Sequence, residues 1–409
     1  MKSIFLKRQF VSFALLSLIV PVAVPVVAIS GKPIYIIPSD ILYILGAIAF
    51  FAVLLLREQA TISVTEARFV LLVLFCSVSL FAVGAAGSML SDTSVPVLSS
   101  LKLVKVNFFF LFGIFFSRLV SLHDFLCKIA AFSVFLVWSL LLSDIFLGNF
   151  PYPRLGGAFW GIEIYGFPNS PAVFYTAVFA FCVVGFLKFS SKACRLLAAF
   201  ACVILLFIIV GTLSRAAMLN LLCFVAIMSA LRQRYYFSGL LVGSFIMILV
   251  LSYLFSEFPN ITSGLASKFA KFQDGADVSN GRFGIWADAI RLVADSPLLG
   301  NLFDPFSNYS DYDTPHNQFL EIFFKAGMIG LILFFLPYFI SLIVVVSDLK
   351  ERHEVDLRIA AVILVSLFLA FLVTNLVQPN FSYTPIGVLL SFLCGYLFSK
   401  VSNKRSMEL

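Results

Sequence analysis

Apolar residues in this chain come in long runs broken by short polar stretches. The runs fall at about 10–28, 39–56, 68–87, 98–117, 125–147, 170–188, 193–213, 215–231, 237–256, 317–347, 359–377 and 381–399. A helix of about 20 apolar residues matches the thickness of a bilayer's hydrocarbon core. The pattern therefore predicts an all-α polytopic membrane protein with about twelve transmembrane helices. No soluble domain, repeat or low-complexity segment stands out, so residues 1–409 read as one integral membrane domain. The first run follows a basic N-terminus, and no small-residue cleavage site separates it from Lys32. It reads as a signal anchor kept as the first helix.

Two polar segments interrupt the runs, at about 148–170 and 257–315. Within the second, Ile285, Trp286, Ala289, Ile290 and Val293 share one face at helical spacing. This predicts an amphipathic helix over Gly281 to Ala294, with Ser279 or Asn280 as its N-cap and Pro297 with Gly300 beyond its end.

Composition supports the membrane reading. The chain is 61% hydrophobic and 12% charged, about half the charge of a soluble domain. The basic residues give an orientation. Placing the N-terminus in the cytoplasm gathers 18 of the 28 Lys and Arg residues in alternate loops, as the positive-inside rule requires. Both termini are then cytoplasmic, and the two long polar segments face the other side. Three histidines are too few for a multi-His metal site, and seven cysteines without a CxxC pair suggest no disulfide framework. No nucleic-acid partner is expected of such a chain.

The basic residues on the outward side carry the candidate chemistry. Arg215 follows Ser214, which would cap the start of a helix, and Arg282 lies in the first turn of the amphipathic helix. A cation in a first helical turn opposes the helix dipole. The placement makes sense where an anion binds, because free N–H groups and a guanidinium then face the same charge. Two such arginines suggest a phosphate or pyrophosphate site, although pairing with a nearby carboxylate would also account for each one. His316 lies in Thr314-Pro-His-Asn317, where Thr314 would cap a helix and Pro315 would take its first position. A helix N-terminus disfavours the imidazolium, so His316 would be neutral and able to act as a general base. A structural histidine is the alternative. Lys105 sits about seven residues into its span, where an ionisable group is costly and functional by default. Lys102 would reach the interface more easily, and Lys325 would pair with Glu321 four residues earlier.

These residues fall into a pattern with a known counterpart. Gly281-Arg-Phe-Gly-Ile-Trp286, Ser296-Pro-Leu-Leu-Gly300, Pro315-His-Asn-Gln-Phe-Leu320 and Lys325-Ala-Gly-Met-Ile-Gly330 resemble the core signature of the O-antigen ligase/polymerase superfamily. Thr212-Leu-Ser-Arg215 resembles its upstream Arg motif, and Arg154-Leu-Gly-Gly157 with Pro168-Asn169 its shorter periplasmic loop. The resemblance implies a GT-C-like glycosyltransferase of the bacterial inner membrane. It would use an undecaprenyl-pyrophosphate-linked oligosaccharide as donor at the periplasmic face, with neither metal nor cofactor. It implies His316 as the catalytic base and Arg215 and Arg282 as pyrophosphate ligands, and Lys105 resembles a family Lys in the corresponding span; Arg154, Asn317 and Arg291 are read as further candidate substrate contacts. Ligases of the superfamily often carry a second His where this chain has Thr314, which favours a polymerase joining lipid-linked repeats. A chain-length-regulating partner would be in keeping with that role. The alternatives are a ligase acting on lipid A-core, a protein O-oligosaccharyltransferase, and a flippase or transporter. The near absence of charge at midplane depth weighs against the last.

Overall fold

The computed structural model describes residues 2–20, 24–29, 32–36, 38–44, 63–146, 158–159, 162–163, 169–212, 214–232, 281–349, 354–381 and 384–408. Its helices are α1 (Lys2–Ile19), α2 (Val64–Ser91), α3 (Val95–Ser117), α4 (Leu122–Phe146), α5 (Asn169–Lys188), α6 (Lys192–Gly211), α7 (Arg215–Arg232), α8 (Arg282–Ala294), α9 (Gln318–Leu349), α10 (Val355–Thr374) and α11 (Thr384–Glu408). Eight of them, α2 to α6 and α9 to α11, are long and apolar enough to cross a membrane, and this count refers to the described residues. The protein is a polytopic helical membrane protein. The run predicted at 237–256 and most of the one at 39–56 lie outside the described residues.

The first run needs correction. α1 ends at Ile19, and Val24–Ile29 (β1) then pairs antiparallel with Lys32–Ile36 (β2). Residues 10–28 thus do not form one spanning helix. Pro21 and Pro25 remove backbone donors and disfavour helical geometry in the residues before them, and the β-branched Val24, Val26 and Val27 suit a strand. A second hairpin, Ala158–Phe159 (β3) with Ile162–Glu163 (β4), lies in the shorter polar segment.

The chain divides into two compact units. The first comprises Met1–Asp40, His123–Asn280 and Val365–Thr374. There α5 is the central helix, packed by α6 and α7 and buried along most of its length. Asn220 of α7 donates to the Val173 carbonyl at 3.4 Å and accepts from the Thr374 hydroxyl at 3.3 Å. Each of these bonds satisfies a polar group that lipid would leave unpaired.

The second unit comprises Ile41–Leu122, Gly281–Leu364 and Asn375–Leu409. Its core is the packing of α3 on α11. A Cβ at Gly113 would lie 2.2 Å from the Phe392 carbonyl oxygen, and one at Gly395 would lie 2.0 Å from that of Phe110. Only glycine lets the two backbones approach so closely, as in small-residue membrane interfaces. Around that contact the aromatic rings of Phe112, Phe116, Phe392 and Tyr396 stack and tilt against one another. α9 joins through Tyr338, whose hydroxyl lies 2.6 Å from that of Ser391, and Ser341, which donates to the Cys394 carbonyl at 2.9 Å.

Candidate functional site

The second unit holds Arg282 and His316. α8 is built as its pattern predicts: Ile285, Ala289 and Val293 are buried, and they pack with Phe306 and Phe324 into a small apolar core. Ile290 departs from the expected face and is exposed, while Leu292 and Phe323 pack against the cluster instead. The helix starts at Arg282 after Gly281, whose φ of +79° suits glycine. The predicted caps Ser279 and Asn280 lie outside the described residues.

His316 does not occupy the first turn of a helix. α9 begins at Gln318, and Asn317 is its cap: the Asn317 side-chain oxygen accepts from the N–H groups of Phe319 at 2.9 Å and Leu320 at 3.1 Å. Asn out-competes Pro–His at this position because its short amide reaches the orphan donors of the first turn. Thr314, expected as the cap, instead accepts from the His316 N–H at 3.3 Å. His316 has a φ of +53°, a conformation that costs a side-chain-bearing residue on the order of 1–3 kcal/mol and collects at functional sites. The surrounding bonds hold it there. Trp286 Nε1 of α8 donates to the Pro315 carbonyl at 2.9 Å, and the Gln318 N–H donates to the Asn375 carbonyl at 2.8 Å.

These contacts define the electrostatics. Burial first, and then the positive charge of Arg282, push the His316 imidazole below its ordinary value of 6.5, while Glu321 and Asp313 act in the opposite direction. The expectation of a neutral imidazole therefore agrees with the structure, but its cause is burial beside a guanidinium rather than a helix terminus.

The signature glycines have a separate task. At Gly327 the chain leaves helical geometry, with φ +63° and ψ −164°. In a continuous helix the Met328 and Ile329 N–H groups would bond the Phe324 and Lys325 carbonyls. Here they bond the Pro297 carbonyl at 2.9 Å and the Leu298 carbonyl at 3.2 Å. The two released carbonyls accept from the Asn301 N–H at 2.7 Å and the Phe303 N–H at 2.6 Å. Four loop bonds replace two helical ones, and the loop is clasped to the broken helix. A Cβ at Gly327 would lie 2.2 Å from the Leu298 oxygen, and one at Gly300 would lie 2.5 Å from the Phe324 oxygen. The clasp fixes the segment between α8 and α9, and with it the relation of Arg282 to His316.

Glu321 and Lys325 pair at 2.6 Å, as their spacing predicts. Lys102 of α3 lies within electrostatic reach of both and of Lys105. Arg291 bonds Asp288 at 2.9 Å in an exposed pair on α8. Arg154 lies outside the described residues.

In the first unit, Arg215 is the first residue of α7. The Ser214 hydroxyl accepts from the Ala217 N–H at 3.4 Å, which is the capping role its position predicts. Thr212 steadies the turn: its hydroxyl donates to the Ile209 carbonyl at 2.7 Å and accepts from the Ser214 N–H at 3.3 Å.

The Asn375 carbonyl was not legible as part of this site, since nothing in Thr374–Asn380 has a patterned spacing. Among the described residues no group of three or more His, Cys, Asp or Glu side chains could hold a metal ion.

A search of curated proteins returns no match. Residues 200–335 match the family model described as O-Antigen ligase. That segment is about a third of the chain, and it contains Arg215, Arg282, the glycine clasp, His316 and the Glu321–Lys325 pair. This match, together with the helical membrane architecture around it, supports a relation of that segment to the O-antigen ligase/polymerase superfamily.

Proposed function

We propose that the protein is an inverting, metal-independent glycosyltransferase that takes a glycan from undecaprenyl pyrophosphate at the periplasmic face of the bacterial inner membrane. The observation that carries this reading is His316, half-buried, pushed towards its neutral form and held by backbone bonds beside Arg282. A neutral imidazole suits a general base for a hydroxyl acceptor. The acceptor oxygen attacks the anomeric carbon and its proton passes to His316. The bond from that carbon to the pyrophosphate oxygen breaks, and the electron pair leaves with the pyrophosphate. Arg215 and Arg282 stabilise the charge that develops there, and Arg suits a phosphate through its planar fork. Lys105, Arg154, Asn317 and Arg291 contribute further contacts to donor or acceptor.

The acceptor we favour is a second lipid-linked repeat unit, because Thr314 stands where ligases of the superfamily often have His. Matching a family described as O-Antigen ligase supports the other reading, transfer to lipid A-core. Purified protein given a lipid-linked repeat unit, with and without lipid A-core, decides between them. Lengthened lipid-linked chains are the expected product, and product formed only on lipid A-core would overturn the polymerase reading.

A further inference from the structure

Residues 257–315 read in the sequence as a polar segment outside the membrane, yet the loop after α8 is bonded to a spanning helix well past that helix's first turn. The Met328 N–H donates to the Pro297 carbonyl at 2.9 Å, and the Ile329 N–H to the Leu298 carbonyl at 3.2 Å. α9 begins at Gln318, so at 1.5 Å per residue these bonds lie about 15 Å along it. Its charged residues Glu321 and Lys325 come earlier, and residues 326–346 carry no charged side chain. That run spans about 30 Å, the thickness of a hydrocarbon core. The loop is therefore held just inside the edge of the hydrocarbon.

The backbone of the loop is paired as that depth demands. Ser296, Gly300, Asn301, Phe303 and Asp304 all donate their N–H groups to backbone carbonyls, and Pro297 has none to donate. Irregular backbone at membrane depth persists only where protein satisfies it, and the clasp to α9 supplies those partners. The side chains of the loop point outward instead: Leu298 is 63% exposed and Leu299 42%. They continue the exposed apolar surface of Met328, Ile329 and Ile332 on α9, a helix that crosses the membrane.

α8 extends this surface. Ile285, Ala289 and Val293 are buried against the protein, and the rest of the helix surface is split in two. Phe283, Ala287, Ile290 and Ala294 are exposed and form one apolar stripe, at the i, i+4, i+7, i+11 spacing of a helix face. Asp288, Arg291 and Asp295 form a polar stripe beside it, at i, i+3, i+7. A helix with one open side apolar and the next charged suits the plane of a membrane interface. We propose that α8 and the 297–299 loop are a membrane-interface anchor: the apolar stripe and the two leucines sit among the acyl chains of the leaflet that α9 enters, and the polar stripe faces water. Continuity with the lipid-facing surface of α9 identifies the bilayer as the occupant. Arg291 and Asp295 keep their charges at head-group level, so the insertion is shallow. Arg282, the first residue of α8, is thereby tied to the membrane surface. The inference stands on this packing, and neither on the transfer reaction nor on which face of the membrane the loop occupies.

The test is two-reagent footprinting of the unmodified full-length protein in phosphatidylcholine nanodiscs, read residue by residue by mass spectrometry. Hydroxyl radicals attack side chains that water reaches, and a lipid-dissolved aryl diazirine attacks those that touch acyl chains. Ile332 and Ile343 of α9, both exposed, serve as lipid references, and Tyr309 and Tyr312, exposed in the loop before α9, as aqueous ones. Phe283, Ile290, Leu298 and Leu299 are expected to take up the diazirine at the level of the α9 references and to lose oxidation by the radicals. Oxidation of all four at the level of Tyr309 and Tyr312 overturns the proposal. Diazirine on the leucines with Phe283 and Ile290 oxidised overturns the role given to α8. Protection from both reagents overturns the lipid assignment, because a protein partner or a second copy of the chain then covers the stripe. Native side chains are read throughout, so no variant has to fold.

Discussion

Two ends of the second unit handle polar groups in opposite ways. At one end Glu66, fully buried near the start of α2, is saturated. Its carboxylate accepts from the Ser63 N–H at 3.2 Å, Arg118 at 2.9 Å, the Ser399 hydroxyl at 2.5 Å and Asn403 at 3.1 Å. The Ser63 hydroxyl completes a capping box. Three helices meet there with regular backbones. The other end holds the seven described residues with positive φ: Asp92 at the end of α2, Gly281, Gly300, Leu302, Phe303, His316 and Gly327. A continuous helix is given up there for a loop clasp, and cations outnumber the carboxylate they share. The first end is organised for stability. The second keeps strain and charge together, as sites that meet a ligand do.

The largest effects test the second end. His316→Ala should reduce transfer by about 100- to 10,000-fold while donor binding persists, as read from turnover and donor affinity measured on the same preparation. Arg215→Ala and Arg282→Ala should each cost on the order of 100- to 1,000-fold in rate, and Arg→Lys should restore little. Near-normal turnover in both alanine variants would remove the pyrophosphate assignment.

Gly327→Ala should be nearly as damaging by another route. Its Cβ would meet the Leu298 oxygen at 2.2 Å in a backbone conformation essentially reserved for glycine. We expect loss of the clasp, seen as faster proteolysis of the 295–303 loop and reduced transfer. A protease-resistant, active variant would refute the clasp.

Glu66→Ala tests the first end. Removing the carboxylate from a buried, hydrogen-bonded pair costs on the order of 3 kcal/mol, so the thermal midpoint in detergent should fall. Activity per folded molecule should hold, and a selective loss of activity would erase the contrast between the two ends.

A smaller effect concerns pH. With the folded pKa of His316 below 6.5, the imidazole is neutral at pH 7 and loses base function only as pH falls through that lower value. Glu321→Gln removes a charge that raises the pKa, so the acid limb of the rate profile should move to lower pH. Movement to higher pH would contradict the geometry. The smallest effect is expected at Arg291, whose exposed pair with Asp288 is worth about 1 kcal/mol or less. Arg291→Ala should leave stability unchanged and transfer within about tenfold.

Most of the spanning helices were legible because lipid allows few alternatives: a run of about 20 apolar residues must satisfy its own backbone, and a helix does so. The candidate residues were legible where each announced itself locally, as Arg215 does after Ser214 and Arg282 does at the start of an amphipathic pattern. Hydropathy misread residues 10–28 because it counts apolar residues without asking whether Pro21 and Pro25 let them form one helix. The cap of α9 was misplaced by three residues because Thr314–Pro315 and Asn317 are both acceptable starts, and their competition is settled only when Trp286 takes the Pro315 carbonyl and Asn375 takes the Gln318 N–H.

The sequence by itself therefore determined the membrane architecture, the family segment and the identity of the candidate cations, each of which depends on residues near one another in the chain. Only the tertiary structure decided why His316 is neutral, why Gly300 and Gly327 must be glycine, and that Lys102 lies within electrostatic reach of Glu321 and Lys325. Those facts arise from burial and from hydrogen bonds between segments far apart in sequence, and no local pattern encodes such pairings.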